Sequence, residues 1–192
     1  MVVNVYDPYP DEIELDGKTY RLNMDFRRVL QVIDLEQDKA LMPEDRIELQ
    51  ARLLLRDDRE CPPELRDQAR LIAAAFDLIP KNEDAQRGEK YLDLHQDAAM
   101  IRSAFFRIGV DLSRDSLHII QFLELLADLP ADTALMRTVE IRRKPIPAPN
   151  KHNAEQIAEL QKAKARVAIK YSEEERMARF AESLKNSTVM RG

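Results

Sequence analysis

The chain has 192 residues, 34% of them charged, with 4 Gly, 10 Pro, no Trp and a formal net charge of -5. That length suits one domain with an appendage and is enough to bury a hydrophobic core; scarce glycine with abundant Leu, Ala, Glu, Arg and Gln points to helices and away from a sandwich or barrel. The single Cys61 excludes an internal disulfide and fits a reducing, cytosolic compartment. No run reaches the roughly 20 apolar residues that span a bilayer, and the opening MVVNVYDPYPDE lacks the basic and apolar blocks of a signal peptide.

Two short alternating runs flank Asp16-Gly17, a pair that tolerates the positive φ angles of a tight turn, so a β-hairpin is predicted over 12–22 with Ile13, Leu15, Tyr20 and Leu22 on its apolar face. A lone hairpin is marginal, and this face is expected to lie on the helices that follow. A first helix over 24–37 sets Phe26, Val29, Leu30 and Ile33 in one stripe. A second starts at Pro43 with Ile47, Ala51, Leu54 and Leu55 inward. A third starts at Pro63 with Leu65, Ala69, Ile72, Ala73 and Phe76 inward and stops at Pro80.

After a polar connection over 81–90, a fourth helix over 96–108 presents Ile101, Ala104, Phe105 and Ile108, with Gly109 placed to stop it in a left-handed conformation. The fifth, over 114–129, is apolar on most sides (Leu117, Ile119, Ile120, Phe122, Leu123, Leu125, Leu126) and leaves a narrow polar stripe of His118, Gln121, Glu124 and Asp128. Such a helix belongs at the centre of the core or against a partner. A sixth covers 132–142. Pro145, Pro147 and Pro149 then force an extended connection before a long helix over 152–170 with the thin stripe Ile157, Leu160, Ala163, Val167 and Tyr171. Ser172-Glu173-Glu174-Glu175 reads as a capping box that restarts the helix and aligns Met177, Phe180, Ala181 and Leu184.

The fold class expected is therefore mainly α, a multi-helix bundle with a short N-terminal β-hairpin and a C-terminal helical arm. The chain divides into a hairpin and helical body (1–142), a Pro-rich connection (143–151) and the arm (152–192). Charge follows this division: residues 1–141 hold 18 Lys/Arg against 29 Asp/Glu, and residues 142–170 hold 8 against 2. An acidic body thus carries a basic arm.

Neither HExxH nor a Cys/His ligand spacing occurs among His95, His118, His152 and Cys61, and no nucleophile elbow, phosphate-binding glycine loop or dinucleotide fingerprint is present. The acidic pairs Asp57-Asp58 and Glu83-Asp84 stand in polar turns, without the separated pKa values that paired catalytic carboxylates need. Neither catalysis nor a cofactor or metal is expected. Arg142, Arg143, Lys144, Lys151, Lys162, Lys164, Arg166 and Lys170 could line a phosphate-binding surface, but aromatic interleaving is missing. Along the long helix, acids precede bases in the order that the helix dipole favours without any ligand. Protein surfaces are the expected partners rather than nucleic acid or membrane. Met177, Phe180 and Leu184, with Ile157 and Leu160, are the candidate partner-binding residues, because a short amphipathic helix beyond a Pro-broken connection can lie in a groove on another chain. The same stripe would also fold back on its own body or close a homo-oligomer.

The segments Ile13-Glu14-Leu15-Asp16-Gly17-Lys18-Thr19-Tyr20, Asp25-Phe26-Arg27 and Gly109-Val110-Asp111-Leu112, with Ser116 to Phe122 leading through Leu129-Pro130-Ala131-Asp132-Thr133 to Val139-Glu140-Ile141-Arg142, resemble the bacteriophage gene product fifteen family of tailed phages and prophages. The resemblance covers about residues 5–165. It departs from the family pattern at Ile119-Ile120, where members often carry paired tryptophans, and in the longer C-terminal part. Members are usually encoded between the major tail protein and the tape-measure protein. The resemblance therefore implies a tail-assembly chaperone that shields the apolar helices of the tape measure in the host cytoplasm and is absent from the mature virion. Tail-tube protein and a second copy of the chain are further partners it suggests. The alternatives are a structural tail or neck subunit retained in the particle, and a DNA-associated phage factor.

Overall fold

The computed structural model describes residues 6–80 and 90–171. Among these the architecture is mainly helical, with seven α-helices and one two-stranded antiparallel sheet. Their contacts group into two compact units, one drawn from Met1–Gln86 with Ile108–Leu129 and the other from Arg87–Arg107 with Pro130–Gly192. The proline connection at 143–151 lies inside the second unit.

In the first unit, β1 (Glu12–Leu15) pairs with β2 (Lys18–Arg21) in the register Ile13 to Tyr20 and Leu15 to Lys18. Asp16 and Gly17 both take positive φ, 52° and 77°, the requirement of a type I′ turn. Ile13, Tyr20 and Leu22 are buried. The chain continues as an extended strip beside two other segments. Asn23 N–H donates to the Leu54 carbonyl (2.7 Å), and Phe26 N–H and Ile119 N–H exchange bonds with Leu117 and Met24 (2.9 and 2.8 Å).

Helix α1 (Phe26–Gln37) begins at the N-cap Asp25, whose carboxylate accepts from Arg27 N–H. It packs against α2 (Pro43–Leu54), which carries Pro43 in its first turn as expected, and α2 packs against α3 (Leu65–Asp77). The faces they bury differ from the sequence reading. In α1, Val32 is buried and Ile33 is 39% exposed; in α3, Gln68, Leu71 and Ala75 are buried, whereas Leu65 is 40% exposed and Ala69 and Ala73 face solvent. In α1 Phe26 and Val29 face inward as expected and only the last turn differs, whereas the α3 stripe is turned by about one residue, with Gln68 in a core position. Gln50 donates from Nε2 to the Val32 carbonyl at 3.0 Å, and Gln68 from Nε2 to the Pro62 carbonyl at 2.8 Å. Gln50 donates a second bond to Glu36 Oε2 at 3.2 Å, which makes its burial tolerable, whereas Gln68 Oε1 is buried with no hydrogen-bond partner among the described residues. Pro63 precedes the N-cap Glu64 instead of entering the helix, and α3 ends at Asp77, ahead of Pro80.

Helix α4 (Ala98–Arg107) belongs to the second unit. Ile101, Ala104 and Phe105 are buried as expected, Ile108 lies outside the helix at 36% exposure, and Gly109 has φ 86°. Helix α5 (Ile119–Ala127), back in the first unit, starts five residues later than its apolar run suggested. Its would-be first turn is spent elsewhere: Ser113 N–H bonds Asp111 Oδ1 at 2.9 Å, Asp111 N–H bonds Asp115 Oδ2 at 2.8 Å, and Asp25 and His118 pair as an isolated bridge. The Phe122 ring stacks on Phe26 with centroids 4.7 Å apart and planes within 7°, which anchors α5 to α1. Leu123, predicted inward, is 37% exposed.

Helix α6 (Ala134–Arg143) is capped by Thr133, whose hydroxyl accepts from Met136 N–H at 3.2 Å. Helix α7 (Ala154–Val167) packs on α6 and ends three residues short of the predicted 170. Ala168 is extended there, its carbonyl accepting from Gln96 Nε2 at 2.9 Å while Lys170 N–H donates to Gln96 Oε1 at 2.8 Å.

Candidate interaction surface

The second unit is organised by a charge pair in its interior. Asp97, 1% exposed, stands just before α4, and Arg142, 8% exposed, comes from the last turn of α6. The guanidinium donates to both carboxylate oxygens, Nη1 to Oδ2 at 2.5 Å and Nη2 to Oδ1 at 2.9 Å. Its remaining donors reach the carbonyls of Tyr91 (Nη1, 2.9 Å) and Val167 (Nε, 2.6 Å), and Asp93 N–H donates to Asp97 Oδ2 at 3.0 Å. One side chain thereby ties α4, α6 and α7 to the segment before α4. A buried guanidinium and carboxylate are tolerable only with this degree of saturation.

With Arg142 turned inward, α6 presents a different face outward. Met136, Val139, Glu140 and Arg143 fall at i, i+3, i+4 and i+7, so they share one side of the helix. Together with Ala131, Lys144 and Pro145 they line an open groove of about 510 Å³. Ile146, the next residue, is 48% exposed. The groove has an apolar floor and a basic end at Arg143 and Lys144, and Arg143 also lies over the Tyr91 ring at 5.7 Å. The sequence reading missed it, because each apolar residue on this face is followed by a charged one (Met136-Arg137, Val139-Glu140) and the stripe is only two turns long.

Of the partner-binding candidates, Ile157 and Leu160 are half-buried on α7. Met177, Phe180 and Leu184 lie outside the described residues. The proposed basic surface loses Arg142 to the interior, and Lys164 is directed to the Arg142 carbonyl at 2.7 Å.

In the first unit, two open pockets share Asn23 and Arg28. One is mainly polar, with Asp25, Arg27, Gln31 and Ser116; the other carries Leu49, Arg52, Leu53, Leu55, Arg56 and Asp58. Their charges are largely internal pairs, Arg27 with Asp25 (3.1 Å), Arg52 with Glu48 (2.8 Å) and Arg56 with Asp11. His118 has a structural task. It is the N-cap of α5: Nδ1 accepts from Ile120 N–H at 3.2 Å, Nε2 faces the Pro10 carbonyl at 3.1 Å, and the ring stacks on Tyr9. Burial lowers its pKa below the ordinary histidine value. Burial likewise raises the Cys61 thiol, which opposes thiolate formation. Asp57, held by Arg59, is lowered to about 2, a surface turn carboxylate that stays charged.

Among the described residues, no group of three or more His, Cys, Asp or Glu is placed to hold a metal ion, and no helix is long and apolar enough to cross a membrane.

Hairpin and helices define a small, mainly helical protein. The family model described as bacteriophage Gp15 protein matches residues 5–169, and the chain belongs to that family of phage proteins. No match was found among curated proteins or among solved structures.

Proposed function

We propose that this phage protein is a tail-assembly chaperone that binds the tape-measure protein through apolar helical surfaces during tail morphogenesis. The observation that carries the reading is the groove on α6, where Met136, Val139 and Pro145 form an apolar floor in a chain of the Gp15 family. A holding factor needs a surface of this kind for the apolar faces of client helices, and it needs no bond chemistry. Release follows from mass action, as tail-tube subunits cover the same client helices more extensively. The protein acts in the host cytoplasm and leaves before the particle is complete.

Co-expression with fragments spanning the tape measure tests this. Fragments that aggregate alone are expected to stay soluble and to co-purify with the chain. Aggregation unchanged across every fragment overturns the proposal, and recovery of the chain in stoichiometric amounts from purified particles replaces it with a structural tail or neck subunit.

A further inference from the structure

The two units carry opposite charge. Within the described residues, the first holds 12 Lys/Arg against 22 Asp/Glu, and the second holds 12 against 6. In the second unit three of the six acids are already engaged, Asp97 with Arg142, Asp93 with Lys90 and Asp132 with Arg107. Nine further cations then stand against three further carboxylates, Glu140, Glu155 and Glu159. The helix dipole accounts for a cation or two in the last turn of α6; it does not account for a whole unit with an excess of positive charge. Arg143 and Lys144 outnumber Glu140 among the charged residues that line the groove and form its basic end, while Met136, Val139 and Pro145 give the floor an apolar character that a phosphate backbone would not use.

We propose that the α6 groove receives an acidic amphipathic helix of the partner protein, with aliphatic side chains on Met136, Val139 and Pro145 and carboxylates on Arg143 and Lys144. This rests on the chaperone reading and narrows it. Among the helices of a long client, the chain would select those whose polar face is glutamate- and aspartate-rich, and charge would set the on-rate while the apolar floor sets the residence time.

The test uses the full chain and two synthetic amphipathic peptides that share a leucine face, one with glutamates on the opposite face and one with lysines. Titration at low ionic strength is expected to show the glutamate peptide binding about tenfold tighter or better. The gap should close toward about 1 M salt, where the screening length falls to about 3 Å. The double variant Arg143→Glu with Lys144→Glu, at two exposed positions, should reverse the preference. Met136→Gln with Val139→Asn should weaken both peptides about tenfold and leave the preference in place.

Equal binding of the two peptides overturns the inference, and so does a preference that survives the charge reversal. Salt-sensitive binding of duplex DNA that the charge reversal abolishes and Met136→Gln with Val139→Asn spares would also overturn it, by assigning the basic end to phosphate. A tape-measure fragment kept soluble equally by the wild type and the charge-reversed variant sinks this inference and leaves the chaperone function standing. Selective peptide binding without any rescue of client fragments does the opposite.

Discussion

Replacing Asp97 by Asn removes the negative charge from the interior of the second unit and turns an acceptor-only group into one that carries an NH2. In the native arrangement that carboxylate is 1% exposed, accepts two guanidinium bonds at 2.5 and 2.9 Å and takes a third bond from Asp93 N–H. An asparagine keeps one acceptor, sets its amide donors against the guanidinium donors, and leaves Arg142 buried without a counter-charge. Breaking a buried pair from one side costs about 3–5 kcal/mol, a fifth or more of the roughly 5–15 kcal/mol that holds a typical domain together. Arg142→Met should cost at least as much, because it also strands the carbonyls of Tyr91 and Val167. Urea unfolding followed by circular dichroism measures the loss, and amide hydrogen exchange places it. Protection should fall across α4, α6 and α7, with α1, α2 and α3 retaining theirs. A loss under about 1 kcal/mol for Asp97→Asn, well below the range for a broken buried pair, would refute the reasoning.

Two smaller perturbations address the first unit and the turn after α4. The His118 pKa is lowered in the folded chain chiefly by burial, so as pH falls below about 6.5 the unfolded chain binds the proton first. Stability should therefore decline from that point down through the folded pKa and level off beneath it. His118→Asn, which keeps a capping acceptor and removes the titration, should flatten the profile in urea unfolding at stepped pH, and an unchanged slope in the variant would rule His118 out as the source. Gly109 holds φ 86°, and nothing lies within 4 Å of the place a methyl group would take on its Cα, so Gly109→Ala meets backbone strain and no clash. The expected loss is about 1–2 kcal/mol by thermal unfolding, with Gly109→Asn less affected; coincident melting curves for Gly and Ala would contradict it.

The features encoded within a few neighbouring residues were readable in advance. Asp16-Gly17 marked the hairpin, Pro43 the start of α2 and Gly109 the conformation after α4, each through a local backbone requirement. The inward faces were harder. Periodicity admits two adjacent stripes when apolar residues lie on both: α3 buries the line of Gln68, Leu71 and Ala75, and α1 buries Val32, whose carbonyl takes the Gln50 amide, in place of Ile33. The late start of α5 has the same origin, since Leu117 and His118 are held by Asp25 and its neighbours rather than by their own helix. Asp97 and Arg142 are 45 residues apart, and the sequence groups Arg142 with the cations of the basic arm instead of with an interior partner. The groove on α6 escaped notice because it forms only where a helix face meets the turn residues Ala131 and Pro145.

The order in which the chain visits its two units has a consequence for synthesis on the ribosome. Unit one is begun by residues up to Gln86, interrupted at Arg87–Arg107, and resumed at Ile108–Leu129. Phe26 therefore waits for Phe122, ninety-six positions later, before its ring is covered. A nascent chain that has delivered only α1 to α3 carries an unfinished apolar face, and a truncation after Gln86 should yield a fragment that clumps instead of folding. Neither unit can be excised as one uninterrupted stretch of coding sequence, so dissecting them calls for circular permutation or a spliced linker across the excursion.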